Sequence, residues 1–479
     1  MPVEFHASPV EAWGRLARPR PPVASPAFPD AMIEALRAPG PGPLRAPGPG
    51  ALRAPGPGAL RAPGLEALRA PGLEPPPAPG DDLLCFGLGR SYGDVGQNSA
   101  GRQIRTTALD RFIAADWTTG VIRAEAGLSL DALLRVAVPR GWFAPVLPGS
   151  RFVTLGGAVA NDVHGKNHAV RGSFGRHVLR LGLWRPDMGA ITLSATEQPT
   201  LFAATIGGLG LTGAILWVEL RLMPLPSALM ESQTLPIADL DGYFALMRDS
   251  ANWPYRVAWI DCLASGSGIG RGLFTRARPA HAGGLATHRP PRLTMPVEAP
   301  AWLLRGATVR GFNWLHRRRP WALGEHRGHY EPFFFPLDAM AGWNRIYGPH
   351  GFFQHQSVLP AAEAPAALRA LLAECAAAGQ ASFLVVLKEF GALPSPGLLS
   401  FPMQGSTLAL DLPNLGDLTR ALLRRLGDIV IAAGGRLYPA KDATMTPAQF
   451  QAGFPQWEAL RAQAAPGFNS DFARRVGLL

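Results

Sequence analysis

The chain has 479 residues, of which 47% are hydrophobic and 17% charged, and its net charge is +11. This composition reads as globular and is long enough for two domains with a sizeable core. It holds no run of about 18 apolar residues to span a bilayer; the nearest, Ile206 to Val218, contains four glycines and stops at Glu219. Met1-Pro2-Val3-Glu4-Phe5-His6 lacks the basic region and apolar stretch of a signal peptide. Cys85, Cys262 and Cys375 are far apart and odd in number, which fits neither a disulfide framework nor a metal site and suits a reducing compartment. A cytoplasmic or peripheral-membrane protein is therefore expected, with an anionic partner favoured by the positive charge.

In chain order, a short helix is predicted over Asp30–Leu36. An octapeptide repeat follows, in which Leu-Arg-Ala-Pro-Gly recurs at 36–40, 44–48, 52–56, 60–64 and 68–72. Proline and glycine in every unit exclude helix and disfavour a sheet ladder, so the repeat is read as a disordered insertion without catalytic function. Strands are predicted at Leu83–Phe86, Val121–Ala126, Val178–Trp184 and Ala214–Leu222, with a helix over Asp131–Val138. Pro224 and Pro226 mark a boundary. Beyond it, strands are predicted at Arg256–Ile260, Phe353–Leu359, Ser382–Leu387 and Leu408–Leu412, and helices over Pro365–Ala378 and Leu415–Ala433. The Pro-, Arg- and Gly-rich stretch 275–330 is expected to form loops. Within it Arg305, Arg310 and His316-Arg317-Arg318-Arg319 interleave with Trp302, Phe312, Trp314 and Trp321. No nucleic-acid motif accompanies this cluster, so an anionic membrane surface or a lipid-linked phosphate is favoured over nucleic acid.

Three glycine-rich segments carry the chemistry. The first is Gly87-Leu88-Gly89-Arg90-Ser91-Tyr92-Gly93-Asp94, after an apolar strand. Its spacing matches neither the dinucleotide fingerprint nor a P-loop. The second runs from Leu147-Pro148-Gly149-Ser150 through Thr154-Leu155-Gly156-Gly157 to Asn161-Asp162-Val163-His164-Gly165, and the third is Gly207 to Gly213. Together they imply backbone packed against a large phosphorylated cofactor. Only three lysines occur, against 43 arginines: Lys166, Lys388 and Lys441. At a solvated surface the two cations are interchangeable, so lysines kept in such a chain mark positions that need a compact charge or a shiftable pKa.

The order of these segments, with Trp13-Gly14-Arg15, Pro336-Leu337-Asp338, Trp343-Asn344-Arg345, Gln354-His355-Gln356, Leu399-Ser400-Phe401-Pro402 and Tyr438-Pro439-Ala440-Lys441-Asp442, resembles the FAD-binding superfamily of vanillyl-alcohol oxidase and p-cresol methylhydroxylase. Within it, the chain resembles the decaprenylphosphoryl-ribose 2-oxidases over nearly its whole length apart from the repeat. The resemblance implies an α+β fold: a two-part FAD-binding domain of the p-cresol methylhydroxylase (PCMH) type with a separate antiparallel-sheet substrate domain. The divisions expected are 1–34 for the N-terminal part of the FAD domain, 35–80 for the repeat, 81–225 for its main part, 226–433 for the substrate domain and 434–479 for a segment returning to the FAD domain.

The implied activity is oxidation of the 2′-hydroxyl of a polyprenyl-phosphoryl ribose, with a short-chain reductase as partner completing an epimerisation to the arabinose lipid for cell-envelope synthesis. The cofactor wall implied is Gly87, Gly89, Arg90, Ser91, Tyr92, Gly93, Asp94, Gly149, Thr154, Leu155, Gly156, Gly157, Asn161, Asp162, Val163, His164, Ile215 and Tyr438. The catalytic set is Lys441 beside flavin and hydroxyl, Gln356 and Lys388 orienting sugar or phosphate, and Lys166 reaching the phosphate. Arg90 stands where covalent members carry histidine, so FAD is expected to bind non-covalently. Tyr438-Pro439 replaces the His-Trp of aldonolactone oxidases, which argues against a sugar-lactone substrate. An oxygen-using sugar-alcohol or lactone oxidase and a non-catalytic flavin scaffold are the rival readings.

Overall fold

The computed structural model describes residues 4–38, 82–291, 293–300, 304, 306–319, 323–380 and 382–479. Nearly all of the octapeptide repeat, together with Trp302, Arg305 and Trp321, lies outside them. The chain forms an α+β fold built on three main sheets.

The first sheet holds β1 (His6–Ala7), β2 (Pro22–Ala24), β3 (Leu83–Phe86) and β4 (Arg102–Arg105) in the order β1-β2-β4-β3, with β2 and β3 both parallel to β4. Helix α1 (Pro29–Arg37) packs Met32, Ala35 and Leu36 beneath it. The second sheet is antiparallel: β5 (Phe112–Asp116), β6 (Val121–Glu125), β7 (Val178–Arg185), β8 (Gly189–Ser194) and β9 (Ala214–Arg221), in the order β5-β6-β9-β7-β8. Two helices cover it. In α2 (Leu130–Ala137) the Ser129 hydroxyl accepts from the Ala132 amide at 3.1 Å, satisfying one of the free N–H groups of the first turn. In α3 (Leu155–Ala160) Thr154 plays the same part, accepting from the Gly157 amide at 3.1 Å.

The third sheet has eight antiparallel strands: β10 (Leu229–Ile237), β11 (Tyr255–Ile260), β12 (Gly272–Pro279), β13 (Gly324–His329), β14 (Phe352–Pro360), β15 (Val385–Phe390), β16 (Gly405–Pro413) and β17 (Arg436–Leu437). Their order is β13-β10-β12-β11-β15-β16-β14-β17. One face is apolar at every second residue: Leu408, Leu410 and Leu412, with Val385, Leu387, Ala258 and Ile260, are fully buried. Burial of a side chain of leucine size contributes roughly 1.5–3 kcal/mol. This face packs on α4 (Leu240–Asp249), α6 (Ala364–Ala378) and α7 (Asp417–Ala432). The other face carries Gln354, Gln356, Val386, Lys388, Thr407 and Ala409 and looks into a cavity.

The 275–330 stretch differs from the loops expected. It contains the end of β12, a thirteen-residue helix α5 (Gly306–Arg318) and strand β13. The arginines that suggested a solvated loop are paired across the ladder instead: Arg276 Nε donates to Gln233 at 2.9 Å and Arg278 Nε to Glu231 at 3.0 Å. Strand β15 also lies three residues later than predicted. The Ser382 hydroxyl bonds the Leu384 carbonyl and amide, forming a turn before the strand, and the polar Lys388-Glu389 pair continues the ladder.

The final segment touches both halves of the molecule. It starts as β17 beside β14, then crosses to the first sheet, where the Leu83 amide donates to the Gly467 carbonyl at 2.7 Å. Arg475 reaches Asp94 and Asp442, with Nε 2.7 Å and Nη2 2.9 Å from their carboxylates.

Candidate active site

A cavity of about 690 Å³ lies between the glycine-rich segments and the open face of the large sheet. On one side the wall is backbone. Gly89 sits at φ +63°, a conformation that favours glycine, and a Cβ on Gly93 would lie 1.7 Å from the carbonyl oxygen of Asp442. A Cβ on Gly87 would lie 2.4 Å from Thr154 Oγ1, so the first loop rests directly on the start of α3. A Cβ on Gly149 would meet nothing within 4 Å among the described residues, because this glycine borders the cavity. Arg90 closes the end of the wall: its guanidinium lies 3.9 Å from the Trp13 ring centre and Nε donates to the Phe152 carbonyl at 3.2 Å.

Across the cavity the wall is side chains. Lys388 is registered directly opposite Thr407, and Gln356 opposite Ala409. The Gln356 amide nitrogen is 2.9 Å from His164 Nε2 and 3.3 Å from Thr407 Oγ1. The His164 ring is enclosed by Phe390, Phe401 and Tyr438, and burial, with Lys388 next, holds its pKa well below the usual imidazole value, so it is neutral at neutral pH.

Lys441 stands at the junction of the two walls. The Tyr438 amide donates to the Gln356 carbonyl at 2.9 Å, and the Lys441 amide donates back to Tyr438 at 3.0 Å, forming a turn as the chain leaves β17. The Tyr92 amide donates to the Ala440 carbonyl at 2.9 Å, tying that turn to the first glycine loop. The Lys441 ammonium then lies 3.8 Å above the Tyr92 ring centre. Burial lowers its proton affinity, while the Asp411 charge opposes that shift. Lys388 falls to about 8 by burial. Lys166 falls to about 7, by burial first and then the charge of Lys388. Two of the Lys166 donors are already taken, by the carbonyls of Phe333 at 2.6 Å and Phe334 at 3.0 Å. The three lysines therefore converge on one cavity.

Of the residues singled out in the sequence, the cavity brings together Gly87, Gly89, Arg90, Ser91, Tyr92, Gly93, Gly149, Thr154, Gly156, Gly157, Asn161, Val163, His164, Ile215, Tyr438, Lys166, Gln356, Lys388 and Lys441. Asp94, Leu155 and Asp162 are placed elsewhere. Asp94 turns out to the Arg475 ion pair. Leu155 is wholly buried in the core of the second sheet. Asp162 is fully buried and accepts from the Gly175 amide at 2.7 Å and the Ser400 hydroxyl at 2.6 Å. Sequence reasoning missed Asp411 and Gln354, whose carboxylate and amide hydrogen-bond each other beside Lys441. It also missed the place of Trp13 under Arg90. Gln354 and Trp13 lay within motifs already noted, whereas a single aspartate in an apolar strand gives no signal of its own.

The residues fit a large dinucleotide. The glycine wall lets a ligand approach the backbone closely, Gly149 leaves room there, and Asn161 Oδ1 and His164 Nδ1 are buried without a hydrogen-bond partner among the described residues. A family model described as an FAD binding domain matches residues 78–194. The decaprenylphosphoryl-β-D-ribose oxidase of Mycolicibacterium smegmatis is 36% identical over 423 residues, 84% of this chain and 90% of that protein. An uncharacterized protein of Streptomyces coelicolor is 35% identical over 73% of this chain and 100% of its own length. A D-lactate dehydrogenase of Anaerostipes hadrus is 27% identical over 30% of this chain and 31% of its own. The chain is an FAD-dependent oxidoreductase acting on CH–OH groups, and FAD is its cofactor. More narrowly, the chain belongs to the decaprenylphosphoryl-β-D-ribose oxidase family.

Proposed function

We propose that this cavity oxidises the 2′-hydroxyl of a polyprenyl-phosphoryl ribose to the 2′-keto sugar. The observation that carries the reading is the convergence of Lys166, Lys388 and Lys441 with Gln356 on one cavity opposite the glycine wall, in a chain with no other lysine. The name of the Mycolicibacterium smegmatis relative supplies the substrate class. When bound, FAD supplies a two-electron acceptor for the hydride leaving the carbinol carbon. Lys441 takes the hydroxyl proton as the C–O bond becomes a carbonyl. It is suited to this because burial lowers its proton affinity and Tyr92 holds it at the junction of the walls. Gln356 and Lys388 orient the sugar, and the remaining N–H of Lys166 faces the phosphate.

The proposed division is a two-part FAD domain of the PCMH type from residues 1–34, 81–225 and 434–479, with the substrate domain at 226–433. Arg90, stacked on Trp13, occupies the position of a covalent attachment residue, which supports a dissociable FAD. Acid precipitation is expected to release the flavin; colour held in the pellet would overturn that point. A reductase partner returning hydride to the opposite face completes the epimerisation.

Helix α5 is the proposed peripheral contact with an anionic membrane. Phe312 and His316 line the cavity, while Trp314 and Leu315 are exposed beside Arg317 and Arg318. Among the described residues no helix is long and apolar enough to cross a bilayer. Each arginine near an anionic surface contributes about 1 kcal/mol, so neutralising Arg317 and Arg318 should weaken vesicle binding roughly tenfold or more. The decisive experiment for the activity is anaerobic mixing of the purified holoenzyme with polyprenyl-phosphoryl ribose. Bleaching of the flavin with formation of the ketone supports the reading. No bleaching with this lipid, but bleaching with free alditols or lactones, overturns it.

A further inference from the structure

Asp411 is a fully buried carboxylate on β16 that the reaction as drawn does not use. It follows Thr407 and Ala409 on the cavity-facing side of the strand, and directly opposite it on β14 stands Gln354. The backbone there is fixed, since the Asp411 amide donates to Ser382 Oγ at 3.2 Å. One carboxylate oxygen accepts from Tyr347 Oη at 3.0 Å and the other from the Gln354 amide. Tyr347 is held in turn by stacking on Phe352, with ring centres 4.0 Å apart. Gln354 also acts on the Tyr92 phenol, favouring its ionised form, and Tyr92 is the ring beneath the Lys441 ammonium. A continuous buried path therefore runs Tyr347–Asp411–Gln354–Tyr92–Lys441.

We infer that Asp411 is a positioning residue for the oxidation: through Gln354 and Tyr92 it fixes the place of Lys441, and its charge sets the pH range in which Lys441 works. The inference rests on the proposed role of Lys441 as the proton acceptor. Burying a carboxylate that accepts from two donors among the described residues costs stability unless an opposite charge offsets it, and the opposite charge that acts on Asp411 is Lys441, three residues along the path. The groups that act on this pair come from every side. Lys388 on β15 opposes protonation of Lys441, and His164 lies near that ammonium. Arg90 and Asp338 act on Tyr92, and Tyr347 on Asp411. Asp411 raises the proton affinity of Lys441 against burial and Lys388, and Lys441 in turn favours the ionised form of Asp411 against burial, which raises the carboxyl pKa.

Asp411→Asn tests this with little change of shape, because Gln354 can turn its amide to complement the new one. The sign is fixed: losing the carboxylate lowers the proton affinity of Lys441. Two readouts apply. One is the pH dependence of the flavin absorbance in substrate-free holoenzyme, assigned to Lys441 by its disappearance in Lys441→Met. The other is the limb of the pH profile for single-turnover flavin reduction. Both should move to lower pH by about one unit, the lower end of what a nearby opposite charge does. Tyr347→Phe, which weakens the anionic form of Asp411, should move both the same way by less, and it carries the test if Asp411→Asn does not fold. Readouts unmoved in the folded, flavin-loaded variants overturn the inference. If Lys441→Arg is slow and the Asp411 variants are unmoved, this inference alone fails. If Lys441→Arg reduces its flavin at the wild-type rate, the role of Lys441 fails first and takes this one with it.

Discussion

One wall of the cavity, Gly87–Gly93 with Gly149 and Gly156–Gly157, presents backbone, while the wall facing it, β14 to β16, presents side chains at every second residue. The backbone wall gains its shape from what is absent: side chains that would otherwise collide with Asp442, Thr154 or the ligand. The side-chain wall gains its chemistry from what survives in a lysine-poor chain. In the proposed function, binding a cofactor and acting on a substrate fall to different kinds of atoms, and damage to one wall should be separable from damage to the other.

The largest effect is expected from Gly93→Ala. Its Cβ would lie 1.7 Å from the Asp442 carbonyl oxygen, so backbone must move where the first glycine loop meets the Lys441 turn. The variant should yield little or no flavin-loaded protein. Gly328→Ala on β13, away from the cavity, whose Cβ would meet nothing within 4 Å among the described residues, should load flavin normally. Equal loading of the two, by the ratio of flavin to protein absorbance, would refute the steric account of this wall.

Lys441→Arg should do the reverse. FAD should bind, yet flavin reduction by substrate should slow by a factor of about 10² or more, the range for a general acid or base. A guanidinium is broader and cannot accept a proton near neutral pH. Wild-type reduction in rapid mixing would remove Lys441 from the chemistry.

A smaller effect concerns stability. In the folded protein Lys388 gives up its proton at about 8, against 10.5 for an unperturbed lysine. Between those values the unfolded chain binds more protons, so this group's contribution to stability rises with pH across that window. Lys388→Met removes the cost of the buried charge. The variant should melt above the wild type at pH 7, by the equivalent of about 1–3 kcal/mol, and the gap should close as the pH approaches 10. A constant gap would mean that Lys388 titrates normally.

Much of this architecture could be read from the chain. The strand Leu83–Phe86 was predicted with its observed bounds, and the two long helices to within two residues, because apolar periodicity is strong there. The backbone wall was legible because glycine is conspicuous and its uses are few. Helix α5 and strand β13 were not, since Pro, Arg and Gly dominate their surroundings and the ladder partners of β13 lie 90 or more residues earlier in β10. Asp411 was hidden for a related reason. Its hydrogen-bond partners Tyr347 and Gln354 lie 64 and 57 residues earlier, and the register of β14 on β16 is what sets Gln354 opposite it.

The confinement of all three lysines to one cavity has a practical side. Amine-reactive reagents usually scatter over a protein surface, yet here every side-chain amine is half-buried and faces the same space. Lys166 and Lys388, at about 7 and 8, present a sizeable unprotonated fraction near neutral pH, and the unprotonated amine is the nucleophile. A small aldehyde or activated ester that enters the cavity would therefore mark this site and little else besides the amino terminus. The chain carries, in effect, its own address for a covalent probe.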